Sequence, residues 1–132
     1  MDSIFTKIIK GEIPSYKISE NENFFAFLDI NPNAKGHTLV IPKKQVDKLF
    51  DLDEQTYTEL FAYTKKVAAA IEKVIPCNRV GLTVIGLEVP HAHVHLIPLN
   101  TMSDASFSKP KAQLSQIEFI ELAAKISKAM DS

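Results

Sequence analysis

The chain has 132 residues, the length of one ordinary domain, and a domain of that size buries roughly two-thirds of the surface its unfolded chain exposes. Hydrophobic residues make up 45% and charged residues 23%, which excludes a disordered polymer. Lys and Arg number 15 against 16 Asp and Glu, so no cationic excess exists to displace counterions from a nucleic-acid backbone, and no nucleic-acid partner is expected.

Met1-Asp2-Ser3-Ile4 has neither the basic start nor the apolar run of a signal peptide. No stretch approaches the roughly 18 apolar residues of a membrane span. The expectation is a soluble, cytoplasmic protein with no membrane partner. Ser3 is placed to cap a short helix carrying Ile4, Phe5, Ile8 and Ile9 at one-turn spacing, stopped by Gly11 and Pro14. Tyr16 to Ser19 and Phe24 to Leu28 read as two strands turned at Glu20-Asn21-Glu22-Asn23. Asn31 to Gly36 is a loop leading into a third strand, His37 to Ile41. From Asp53 to about Val74 the period becomes helical, with Tyr57, Leu60, Phe61, Val67, Ala68, Ile71, Val74 and Ile75 forming a buried stripe. Cys77, the single cysteine, reads as a small hydrophobe past the end of that helix, and a Cys-rich zinc module is excluded. Arg79 to Ile85 and Ala92 to Leu99 read as strands. Met102 to Pro110 reads as a connector, and Ser115-Gln116-Ile117-Glu118 has capping-box spacing for a last helix to about Ala129. The class is α+β, a mostly antiparallel sheet with a long central helix and an extra C-terminal helix.

The unusual chemistry is Pro90-His91-Ala92-His93-Val94-His95-Leu96-Ile97-Pro98, where three of the four histidines occupy five positions. On a strand, His91, His93 and His95 share a face while Ala92, Val94 and Leu96 point to the core. Neighbouring rings in such a row lie about 7 Å apart, so each needs another partner to fix its tautomer. Three readings compete. The histidines have no shared task; or they hold a metal, with Asp29, Asp47, Asp51 and His37 as further candidate ligands, although none stands in a ligand pattern; or one imidazole attacks phosphorus while its neighbours donate hydrogen bonds to the developing charge. The third leads.

His91-Ala92-His93-Val94-His95-Leu96-Ile97 resembles the signature of the histidine triad (HIT) superfamily, alternating histidines with apolar residues. Ile4-Phe5-Thr6-Lys7-Ile8-Ile9, Gly11-Glu12-Ile13-Pro14, Ala26-Phe27-Leu28-Asp29-Ile30-Asn31-Pro32 and Gly36-His37-Thr38-Leu39-Val40-Ile41-Pro42-Lys43 look like its Hint branch, in order and spacing. The resemblance covers residues 3 to about 99. It implies a single HIT-like domain over residues 1–132, with residues from about 100 to 132 as an extension, and a homodimer. The implied activity is cleavage of nucleoside 5'-phosphoramidates or related nucleotide conjugates at the α-phosphate, through a covalent nucleotidyl-histidine and without a cofactor. In that scheme His93 is the nucleophile, His95 contacts the phosphate or leaving group, His91 holds its neighbour through its carbonyl, and His37 supports the triad. Asp29 matches the carboxylate that accepts the ribose hydroxyls, although a turn-forming Asp before Asn31-Pro32 has the same appearance. Ile4, Phe5, Ile8, Ile13, Phe27 and Ile30 match the apolar slot around the base, and ordinary core packing accounts for these six equally well.

The chain departs from the family in two places, and one triad position separates it from another branch. Many bacterial members bind a structural zinc with Cys-x-x-Cys, a further His and the first triad His; here the matching positions are Ser3, Thr6 and Gln45, so no metal is expected. The third triad position is His95 rather than Gln, unlike the nucleotidyl-sugar transferases. The family's Gly-Gln-Ser/Thr-Val before the triad is replaced by Gly86-Leu87-Glu88-Val89-Pro90, leaving Glu88 as a leaving-group contact or as a residue turned outward. Two alternatives therefore stand beside the phosphoramidase reading: a dinucleoside polyphosphate hydrolase, or a nucleotide-binding protein of weak or no activity.

Overall fold

The structure is a computed structural model and describes residues 1–131. Ser3 caps the first helix, α1 (Ile4–Ile9), accepting from the Thr6 N–H at 3.0 Å. β1 (Lys17–Glu20) and β2 (Phe24–Leu28) form a hairpin around Asn21, whose side-chain oxygen accepts from the N–H groups of Asn23 and Phe24. β3 spans Thr38–Pro42, α2 spans Glu54–Val74 with Asp53 as its cap, and β4 and β5 span Arg79–Thr83 and Val94–Leu99. The last helix, α3 (Gln116–Met130), opens on the expected capping box of Ser115 and Glu118. All pairings are antiparallel, in the order β1-β2-β3-β5-β4, as the α+β class requires.

Strand alternation sorts side chains between two cores. Phe24, Ala26, Leu28, Val40, Val94 and Leu96 face α2 and α3, packed on Leu60, Val67, Ile71 and Ile126. Phe25, Phe27, Leu39 and Ile41 face the other way, covered by Phe5, Ile8 and Ile9. The stripe on α2 is rotated from the expected one. Tyr57 and Phe61 are only half-buried and pair with each other at 5.1 Å, while Tyr63 and Ala70 enter the core.

The C-terminal helix lies on the face of the sheet opposite the histidines. Phe119, Leu122, Ala123 and Ile126 are buried against α2 and β1, and Phe119 stacks on Tyr16 at 4.8 Å. The extension is thus part of the main core. Ile126→Ala should cost about 2–5 kcal/mol through the cavity it leaves, whereas Ile117→Ala, at an exposed position, should stay within about 0.5 kcal/mol. Urea unfolding of both variants measures the difference, and equal effects would show that α3 only rests on the surface.

Candidate functional site

The histidines lie on the α1 face. Leu39 pairs with His95 across β3 and β5, and Phe27 pairs with Leu39 across β2 and β3, so His95 stands in the same row as the second core. Alternation puts Asp29, two residues past Phe27, and His37, two before Leu39, on that side as well. Gly36 sets the entry of His37. Its φ is +99°, and a Cβ there would meet the Ile75 side chain at 2.9 Å, so only glycine lets the chain turn so close to α2.

β5 begins at Val94, two residues later than the expected Ala92. The N–H of Ala92 donates to the Val46 carbonyl and that of His91 to the Val89 carbonyl, so neither joins the sheet ladder. The imidazoles are correspondingly closer than a regular strand allows. The His93 and His95 rings meet edge to face at 5.1 Å rather than about 7 Å.

Hydrogen bonding assigns every ring its tautomer. The Asn33 N–H donates to His37 Nδ1 at 2.9 Å, so the proton of neutral His37 sits on Nε2, which donates to His95 Nδ1 at 3.0 Å. His95 then carries its proton on Nε2. His93 Nδ1 donates to the His91 carbonyl at 2.8 Å, leaving Nε2 with its lone pair. His91 Nε2 donates to the Pro42 carbonyl, and its Nδ1 accepts from the Ser3 hydroxyl, both at 2.7 Å. Thr64 Oγ1 is the buried polar side-chain atom left without a partner among the described residues. The unbonded Nε2 atoms of His93 and His95 therefore keep contact with solvent. A lone pair and an N–H stand side by side, which is the pair needed to attack an oxyanion centre and to stabilise the charge that follows.

Burial favours the neutral form of His37, His91 and His95. It pushes His37 down from 6.5 to about 3, helped by positive charge at His95 and Lys111, and His95 down to about 4, helped by His93 and Lys111. His91 is lowered by burial, partly offset by its bond to Pro42. Asp29 is raised, because burial outweighs the Asn31 N–H on its carboxylate and the nearby charges of Lys111 and His93. Its other oxygen stands 3.6 Å from His37 Nε2.

Asp29, His37 and His95 are near enough to surround an ion, but their donors do not fit one. His37 Nε2 holds a proton as long as Asn33 occupies Nδ1, so coordination would break that bond. Asp47 and Asp51 are exposed and lie outside the group. At Ser3, Thr6 and Gln45, the positions that the sequence resemblance matches to zinc ligands, the Ser3 N–H and the Thr6 hydroxyl both donate to Gln45 Oε1 at 2.7 Å. With the Ser3 hydroxyl on His91, these residues form a closed hydrogen-bond cluster of hard, neutral oxygens, poor donors for zinc.

The apolar candidates divide. Phe5 and Phe27 are buried in the second core, and Phe5 meets the His93 ring edge-on at 5.0 Å. Ile8 packs against that core, Ile13 is half-buried, and Ile4 and Ile30 are exposed. Leu87 and Glu88 are both exposed. Three participants escaped sequence reading: Asn33, whose loop position gave no sign of its N–H, and Phe107 and Lys111, placed in a segment of Ser, Lys and Pro. The connector over residues 102–110 is ordered by a 3-10 turn at Met102–Ala105 and puts Phe107 edge-on to His95 at 4.9 Å.

Residues 10–102 match the HIT domain family. An adenosine 5'-monophosphoramidase of Saccharomyces cerevisiae is 42% identical over 99 residues, covering 72% of this chain and 61% of its own length. An uncharacterised HIT-like protein of Borreliella burgdorferi is 37% identical over 96% of both chains. Among solved structures, a HIT-like protein of Bartonella henselae superposes with a TM-score of 0.82 at 32% identity, over 97% of this chain and 96% of its own. A zinc-bound histidine triad protein of Mycobacterium smegmatis gives 0.84 at 27% identity, over 99% and 94%. The chain belongs to the HIT family, and its sheet and helices are the HIT-like fold.

The buried, neutral rings make stability fall with acid. A histidine whose pKa is depressed on folding contributes stability above its unfolded value of 6.5 and loses it as pH falls toward about 3 for His37 and about 4 for His95. The melting temperature should be flat above pH 7 and drop between pH 6 and 4, and the drop should be shallower in His37→Gln. A wild-type curve that stays level down to pH 4 would contradict the assignment of neutral, buried rings.

Proposed function

We propose that the protein is a nucleotide hydrolase that cleaves nucleoside 5'-phosphoramidates or related conjugates at the α-phosphate, using His93 as nucleophile. The observation that carries this reading is the His91 carbonyl on His93 Nδ1, which aims a bare Nε2 outward next to the Nε2–H of His95. His93 Nε2 bonds to phosphorus as the P–N bond to the leaving amine breaks, and the amine departs with a proton from solvent. His95 donates to the non-bridging oxygen that gains charge. Water then cleaves the nucleotidyl-histidine, releasing the nucleoside monophosphate and restoring His93. His91 and His37 act as positioning residues through the bonds described. The phosphoramidase relatives support the substrate class.

Asp29, half-buried, is suited to accept two ribose hydroxyls with charge-assisted bonds. The exposed Ile4 and Ile30 and the half-buried Ile8 and Ile13 serve the base better than Phe5 and Phe27, which the second core already holds. A homodimer is supported by the open edge of β4, where Leu82 and the following Ile85 are about half exposed. The single half-buried cysteine suits a reducing compartment, the cytoplasm.

Turnover of adenosine 5'-phosphoramidate in the presence of chelator, with AMP release as the readout, tests this reading. Wild type should turn over, and His93→Ala should lose activity by at least about a thousandfold. AMP binding without turnover in either protein would favour a nucleotide-binding protein, the alternative that the replaced Gln-Ser pair supports. We assign Glu88 to the leaving-group side from its position before the triad; Glu88→Gln and Glu88→Ser should each change turnover, and wild-type rates in both would remove it from the site.

A further inference from the structure

The segment following β5 brings a cation to the histidines. Asn33 Nδ2 donates to the Asp104 carbonyl at 3.3 Å, and the Ala112 N–H donates to the Pro32 carbonyl at 2.9 Å. The segment is thus fastened at both ends to the loop that follows Asp29, and internally by the pairing of Lys109 with Asp104 at 2.8 Å. Between the fastenings, Phe107 covers His95 and meets His37 edge-on at 6.0 Å. The Lys111 ammonium lies 5.1 Å from the centre of the Phe107 ring and donates to Asn33 Oδ1 at 2.8 Å and to the Phe107 carbonyl at 3.4 Å.

Lys111 differs from Lys109 in what holds it. Both acceptors are neutral, and no carboxylate among the described residues pairs with it. It is partly withdrawn from water, and its charge bears on Asp29, His37 and His95 together. A half-buried cation held only by neutral oxygens retains most of its affinity for an anion. The loop before the triad offers none in its place, since Leu87 cannot donate and Glu88 is acidic.

We infer that Lys111 is a specificity-determining residue that binds the 5'-phosphate of the nucleotide, exchanging Asn33 Oδ1 for a phosphate oxygen. This inference rests on the nucleotide reading above and adds the group that distinguishes a nucleotide from its nucleoside. The alternative role for the same contacts is a latch, in which Lys111 only ties residues 107–111 to Asn33.

Calorimetric binding of AMP and of adenosine to wild type, Lys111→Met and Lys111→Arg separates these roles. Lys111→Met should weaken AMP by about tenfold to a hundredfold, the range for a hydrogen bond to a charged group, with adenosine unchanged. Lys111→Arg should recover most of the loss, and the wild-type preference for AMP should shrink as salt is raised. Equal losses for AMP and adenosine, accompanied by a lower melting temperature, would establish the latch and overturn the inference, as would no loss at all. Failure of wild type to bind either compound would instead overturn the nucleotide reading, and this inference with it.

Discussion

The main-chain N–H of Asn33 donates to Nδ1 of His37 at 2.9 Å, and the polarity of half the site follows from that bond. An amide can only donate, so His37 must accept on that nitrogen and carry its proton on the other. His95 must then accept on Nδ1 and present N–H outward. A second fixed group, the His91 carbonyl, forces the opposite outcome on His93, whose outward nitrogen is bare. Two rings of identical chemistry, 5.1 Å apart, are thus made complementary by one main-chain donor and one main-chain acceptor. Neither ring needs a charge for this, and burial keeps His37 and His95 neutral.

The second dependence is on the first helix. Ser3 performs three tasks with one residue: its hydroxyl accepts from the Thr6 N–H to start α1, the same hydroxyl donates to His91, and its own N–H is held by Gln45. The helix that covers the second core is therefore joined to the histidine whose carbonyl aims His93. Where some relatives are expected to use a metal for this junction, this chain uses neutral hydrogen bonds. Such bonds require good geometry, and the cluster is closed, with the Gln45 amide donating to the Met1 carbonyl at 2.9 Å.

The extension after β5 is two devices in sequence. Residues 101–112 return to the loop after Asp29 and place Phe107 against His95, while α3 passes to the opposite face and completes the main core with α2 and β1. The Ser, Lys and Pro content of the first part looks like a linker, yet its capping box at Thr101 and Asp104 and the tie to Asn33 give it a set path. The apolar stripe of α3 was legible as a helix. Its choice of face was not, because amphipathicity states how much surface must be buried and not against which partner.

Local rules account for what the sequence determined by itself. Ser3, Asp53 and Ser115 start helices because their side chains bond within three residues; Asn21 turns the first hairpin for the same reason. Alternation places His95 with Leu39 and Phe27, and Asp29 follows its strand onto the same face. The triad pattern and its family were likewise readable from the order of residues. Tertiary structure decided which nitrogen of each ring carries the proton, how far the strand extends toward His91, and that Lys111 bonds to Asn33. These depend on partners far along the chain: Ser3 lies 88 residues from His91, His37 lies 58 from His95, and Lys111 lies 78 from Asn33. A tautomer is set by whatever faces the other nitrogen, and only the folded chain brings that group into place.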